Sequence, residues 1–115
     1  MKRAMLIVML LLPLYSIAQD RNLQILQEAI DGRDPASITE LDLSRKGLTS
    51  LPPEIGQLQN LTELYLSENN LTSLPPEIGQ LKNLTYLSLY NNNIPEAERQ
   101  KIESWLPNCK IRWEE

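Results

Sequence analysis

Two consecutive stretches of the chain are near-duplicates. Residues 38–60 read ITELDLSRKGLTSLPPEIGQLQN and residues 61–83 read LTELYLSENNLTSLPPEIGQLKN, identical without gaps at 17 of 23 positions. A third copy begins at Leu84 as LTYLSLYNNNI and then diverges. Leu41, Leu64 and Leu87 are therefore spaced by 23, as are Leu43, Leu66 and Leu89. A fixed period of this length predicts a stacked solenoid, because one unit cannot bury its leucines alone whereas stacked units share a continuous core.

The local pattern within each unit agrees. In Leu64-Tyr65-Leu66 apolar and polar side chains alternate, so Leu64 and Leu66 face one way while Glu63, Tyr65 and Ser67 face the other. Asn69 and Asn92 follow their strands at an inward position, where an amide is expected to satisfy backbone groups of neighbouring turns. The first unit departs from this with Lys46, which cannot accept hydrogen bonds and is expected to point outward from a looser turn. Leu-Pro-Pro at 51–53 and 74–76 cannot serve a sheet ladder and is expected to run extended on the convex side.

These units resemble leucine-rich repeats. The pattern L-x-x-L-x-L-x-x-N-x-L is matched by Leu61, Leu64, Leu66, Asn69 and Leu71, and again by Leu84, Leu87, Leu89, Asn92 and Ile94. The L-P-x-x-I-x-x-L half, at Leu51–Leu58 and Leu74–Leu81, is similar to that of the Ras-group leucine-rich repeat proteins. The resemblance covers about residues 38–94. It implies an α/β fold: a short right-handed solenoid with a parallel concave sheet and a helical cap at each end. It also implies that a partner meets the outward strand positions of the concave face. Those are Glu40, Asp42 and Ser44, then Glu63, Tyr65 and Ser67, then Tyr86, Ser88 and Tyr90. Of these, Glu40, Asp42, Glu63, Tyr65, Tyr86, Ser88 and Tyr90 are the expected partner-binding residues, forming a surface acidic at one end and aromatic at the other.

Open solenoid ends need lids. In residues 19–37, Leu23, Leu26, Ala29 and Ile30 form a helical stripe, with Asp20 as the expected N-cap and Gly32 as the stop. Asp34-Pro35 then breaks the chain. In residues 95–115, Pro95 opens a helix whose Ile102, Trp105 and Leu106 share one side, and the ring of Trp105 is expected to close the core. The alternating tail from Cys109 to Trp113 predicts a last strand, with Leu87 matching Cys109 and Leu89 matching Ile111 at an interval of 22. Cys109 then becomes a buried, inert thiol.

Residues 1–18 read as an export signal. Lys2 and Arg3 precede an apolar run, and Ser16 and Ala18 fit a signal peptidase, with cleavage expected before Gln19. The run is short of the ~20 residues that span a bilayer, so no stable membrane span is expected after its removal. The expected location is secreted, periplasmic or extracellular.

Composition narrows the function. His is absent, which excludes imidazole triads and His metal sites, and Cys109 is the sole cysteine, which excludes an intramolecular disulfide and a Cys-cluster zinc site. The net charge of −4 without a basic stripe argues against nucleic-acid binding. Glu40, Asp42 and Glu63 would suit calcium or glycosidase chemistry only with an organising glycine loop or a cleft, and neither is evident. No catalytic residue, metal or cofactor is therefore expected. Asn60, Asn70 and Asn83 each open an Asn-Leu-Thr glycosylation sequon, a triplet that the repeat itself generates. The expected role is a non-catalytic protein-interaction module. The rival is a self-associating structural or envelope-associated protein, a weak homo-oligomer using sheet edges or Cys109.

Overall fold

A computed structural model describes residues 14–115, with side chains described from Asp20 onward. Each repeat supplies a three-residue strand: β1 (Glu40–Asp42), β2 (Glu63–Tyr65), β3 (Tyr86–Ser88) and, from the tail, β4 (Lys110–Arg112). They form one sheet in the order β1-β2-β3-β4, every neighbour parallel. Glu40 pairs with Glu63, and Leu64 with Leu41 on one side and Leu87 on the other, so the 23-residue spacing is the register of the sheet. The duplicated segments fold alike.

The recurring leucines all turn inward. Leu43, Leu64, Leu66 and Leu87 are fully sealed, and the same core extends through Leu48, Ile55, Leu58 and Ile78 to the convex side. Burial of each such side chain stabilises by about 1.5–3 kcal/mol, and stacking is what makes that burial available.

The asparagines tie the turns together. Asn69 accepts from the amides of Lys46 and Leu48, each at 3.0 Å, and donates to the carbonyls of Leu43 and Leu66 at 2.9 and 3.0 Å. Asn92 repeats the scheme one rung on, accepting from Leu71 N and donating to Leu66 O and Leu89 O. Lys46 is exposed, as expected, and its turn is held from the next rung by Asn69. A second device serves the first rung. Asn22, buried on the N-terminal helix, accepts from Thr49 N at 3.1 Å and donates to Thr49 Oγ1 and Ser50 Oγ, each at 3.0 Å.

Two of the Asn-Leu-Thr triplets, at Asn60 and Asn83, are also structural. Asn60 and Asn83 donate side-chain amides to the carbonyls of Ala36 and Gln59, and Thr62 and Thr85 donate hydroxyls to the carbonyls of Thr39 and Thr62. The triplets at Asn60 and Asn83 thus bond their rungs to the one before.

The convex side differs from expectation at one residue per unit. Pro52 and Pro75 are extended, with ψ of 144° and 151°. Pro53 and Pro76, however, start 3-10 turns, Pro53–Gln57 and Pro76–Gln80. A proline lacks only an N–H that a helix start leaves unbonded, so the second proline of each pair fits that position. The two turns stack so closely that a Cβ on Gly56 would lie 2.6 Å from Gln80 Oε1 and 3.1 Å from the Glu77 backbone oxygen.

The N-terminal lid is helix α1, Leu14–Ile30. Asp20 lies inside it and is not its N-cap. The buried stripe is also rotated from the expected one. Leu26 is sealed and Ile25, Ala29 and Ile30 pack on the core, while Asn22 takes the buried place and Leu23 is only half-buried. The helix ends as expected, with Asp31 and Gly32 in left-handed conformations at φ 51° and 71°. Asp34 caps the short 3-10 turn Pro35–Ser37 by accepting from Ala36 N. The export signal expected over residues 1–18 falls largely outside the described residues. Among the described residues, no helix is long and apolar enough to cross a membrane.

The C-terminal lid is helix α2, Glu96–Trp105, with Pro95 before it and Leu106 ending it. It packs against the Pro76–Gln80 turn, where Trp105 Cβ would sit 3.4 Å from a Cβ on Gly79. Ile102 and Leu106 are buried and Trp105 is half-buried against the core. The register of the tail corrects the expected 22-residue interval: Leu87 pairs with Ile111, not Cys109. An α-helix rises ~1.5 Å per residue against ~2.0 Å for the 3-10 turn it replaces, so more residues are needed to return to the sheet. Cys109 is half-buried, and burial pushes its thiol up to about 11.

Candidate functional site: the concave sheet face

The alternation of each strand presents two rows of side chains across the sheet. Register places Glu40, Glu63, Tyr86 and Lys110 in one row and Asp42, Tyr65, Ser88 and Arg112 in the other. Both rows run from acidic over β1 to basic over β4, with aromatic rings between. Sequence reasoning gave the acidic and aromatic parts and missed Lys110 and Arg112. The alternation of Cys109 to Trp113 already turned both of them outward, and following that parity would have found them.

The middle of the face is ordered by its rings. Tyr65 and Tyr86 lie with centroids 5.6 Å apart and planes tilted by 52°. Tyr65 donates its hydroxyl to Glu63 Oε2 at 3.3 Å, and partial desolvation together with the nearby Glu63 carboxylate raises its pKa. The Arg112 guanidinium carbon sits 5.0 Å from the centre of the Tyr90 ring, a cation–π contact, while Arg112 Nε donates to the carbonyl oxygen of Glu114.

The serines have a different part. Ser67 and Ser88 are each 2% exposed and hydrogen-bond to each other. Ser88 therefore forms the floor of the face rather than an outward contact. Just beyond the strands, Arg45, Glu68 and Asn91 recur at the same place in successive turns with φ of 56°, 59° and 58°. Left-handed conformations at non-glycine residues cost about 1–2 kcal/mol each. They bring Arg45 and Glu68 together in an ion pair of 2.9 Å, which raises the Arg45 pKa. Asp42, Arg45, Tyr65, Tyr90 and Arg112 ring a shallow hollow of about 340 Å³. Glu40 and Glu63 stand on adjacent strands, as expected, but among the described residues no three carboxylates gather as a metal site.

A larger hollow, about 720 Å³, was not foreseen. It lies between α1 and the first turn, lined by Asp20, Arg21, Gln24, Ile25, Glu28, Ala29, Arg45 and Lys46. Its walls mix both charge signs and no side chain in it is buried and unpaired.

The family comparison agrees with this geometry. A leucine-rich repeat family model matches residues 36–94, and a second leucine-rich repeat model matches residues 83–111. The chain is a leucine-rich repeat protein. A solved leucine-rich repeat protein of Leptospira interrogans is similar at 50% identity with a TM-score of 0.57, over 57% of this chain and 17% of that one. The chain thus spans about a sixth of that relative's length. Among curated proteins none matches. Leucine-rich repeat domains generally mediate protein–protein interaction and are typically non-catalytic.

Proposed function

We propose that this leucine-rich repeat protein is a non-catalytic interaction module that binds another protein through its concave face. The observation that carries the reading is the Tyr65–Tyr86 pair, ordered on a sheet face with charges of opposite sign at its two ends. Ordered tyrosines offer contact area at little rotamer cost and are enriched at binding hot spots. Four strands at ~4.8 Å spacing span about 14 Å between outer axes, giving a patch of about 300–400 Å². A standard interface takes ~800 Å² per partner, so binding through this face alone is weak. The reading is tested by cross-linking pull-down with the wild type beside a Tyr65→Ala, Tyr86→Ala, Tyr90→Ala triple variant. Partners captured by the wild type are expected to be lost, and equal recovery from both would move binding off this face.

The exported location is proposed on the pattern of residues 1–18 alone. An intact mass of the purified protein beginning at Gln19 supports it, and one retaining Met1 opposes it. A second reading, self-association, is favoured by one observation: Cys109, Ile111 and Trp113 are only half-buried around a hollow of about 430 Å³ beside β4. Size-exclusion chromatography with and without reductant separates the two readings, a monomer in both conditions supporting the interaction module.

A further inference from the structure

The charges at the two ends of the concave face make local hydrogen bonds, Asp42 accepting from Ser44 N and Glu63 from the Tyr65 hydroxyl, but none of them is in an ion pair among the described residues. Among the described residues, Glu40 and Lys110 have no ion-pair partner. Arg112 spends its Nε on the Glu114 carbonyl and leaves the rest of its guanidinium beside the Tyr90 ring without a carboxylate. Glu63 pairs in register with Glu40, so the acidic end concentrates like charge. Negative charge without an ion-pair partner over β1 and β2 therefore stands opposite positive charge without one over β4, with the Tyr65–Tyr86 pair between them.

The distances define what fits. Three strand intervals of ~4.8 Å separate β1 from β4 by about 14 Å. An extended segment rises ~3.4 Å per residue, so it crosses that distance in about four residues. Its side chains alternate, so positions i, i+2 and i+4 point to the same side. An extended segment laid across the strands thus presents one side chain to each zone of the face.

We propose that the concave face takes an extended peptide segment with a basic side chain at i, an apolar one at i+2 and an acidic one at i+4, or the same order reversed. The basic side chain lies over Glu40, Asp42 and Glu63, the apolar one over Tyr65 and Tyr86, and the acidic one over Lys110 and Arg112. This rests on the concave-face reading above and adds the chemistry of the partner. The two ends stand farther apart than the Debye length of ~8 Å at physiological salt, so each acts as a separate local contact. A segment of one charge sign gains at one end and loses at the other.

The test is an NMR titration with two capped peptides of identical composition, one lysine, one leucine and one glutamate among glycines. In one the lysine and glutamate are four positions apart with leucine midway, and in the other three apart. Both bind in the millimolar range, with amide shifts at Tyr65, Tyr86 and Lys110. The four-spaced peptide is expected to bind about fivefold more tightly, as exposed ion pairs are individually weak. A Lys110→Glu, Arg112→Glu variant whose free spectrum changes only around β4 and Tyr90 should lose that preference and favour a peptide with lysine at both positions. Equal affinities with concave-face shifts intact would overturn the charge pattern and leave the face as a binding surface. Shifts confined to the convex side or to α1, together with pull-down partners indifferent to the triple alanine variant, would overturn both readings.

Discussion

Leu64 and Ile111 hold equivalent inward positions, each in register with Leu87, yet Leu64 is fully sealed and Ile111 is half-exposed. The number of neighbouring strands is not enough to explain this, since β1 is an edge like β4 and its Leu41 is only 3% exposed; the β1 rung is bonded to α1 through Asn22, whereas β4 is the last rung of the stack. Burial in a solenoid is thus set by rung position as much as by residue type. The asparagines give the same lesson. Asn69 serves carbonyls and amides of two turns, while the first turn, with Lys46, draws on Asn69 from one side and on Asn22 of α1 from the other. Internal rungs satisfy each other, and terminal ones borrow from the lids.

The largest effect follows from that contrast. Leu64→Ala should destabilise by about 3–5 kcal/mol and Ile111→Ala by only about 1–2 kcal/mol, measured by urea unfolding. Equal losses would remove the distinction between inner and outer rungs. Asn69→Ala should cost about 3 kcal/mol, since it strands several buried backbone groups, and Asn22→Ala about 1–2 kcal/mol. If Asn22→Ala were silent, α1 would not be completing the first turn. Trp105→Ala should cost about 2 kcal/mol, below the usual figure for aromatic truncation because the ring is only half-buried.

The smallest effect is a pH dependence. The Cys109 thiol titrates at about 11 when folded against an ordinary 9.0. Above pH 9 the unfolded chain loses that proton first, so stability present below pH 9 declines until the folded thiol ionises near 11. In Cys109→Ala that part of the decline should vanish from a pH series of unfolding curves. A slope unchanged by the substitution would place the thiol in water.

Much of this was legible in the sequence. Repeating Leu41, Leu64 and Leu87 gave the stack, Asn69 and Asn92 the polar ladder, and the strand alternation the face bearing Tyr65 and Tyr86. Three features were hidden for physical reasons. The buried place of Asn22 depends on a hydroxyl pair, Thr49 and Ser50, that lies 27 and 28 residues away. The pairing of Leu87 with Ile111 depends on how far α2 carries the chain before it returns, which periodicity does not report. Ser88 is buried and bonded to Ser67, which lies just past the end of β2, so a position with the right parity need not be an exposed one.

The register of near-identical units is best checked by methyl NOE spectroscopy with selectively labelled leucines. Stacking as described predicts cross-peaks linking Leu41 to Leu64 and Leu64 to Leu87 in an unbroken series. Leucine methyls with solvent-like relaxation and no such links, or Leu41 paired to a residue other than its counterpart one repeat onward, would contradict it.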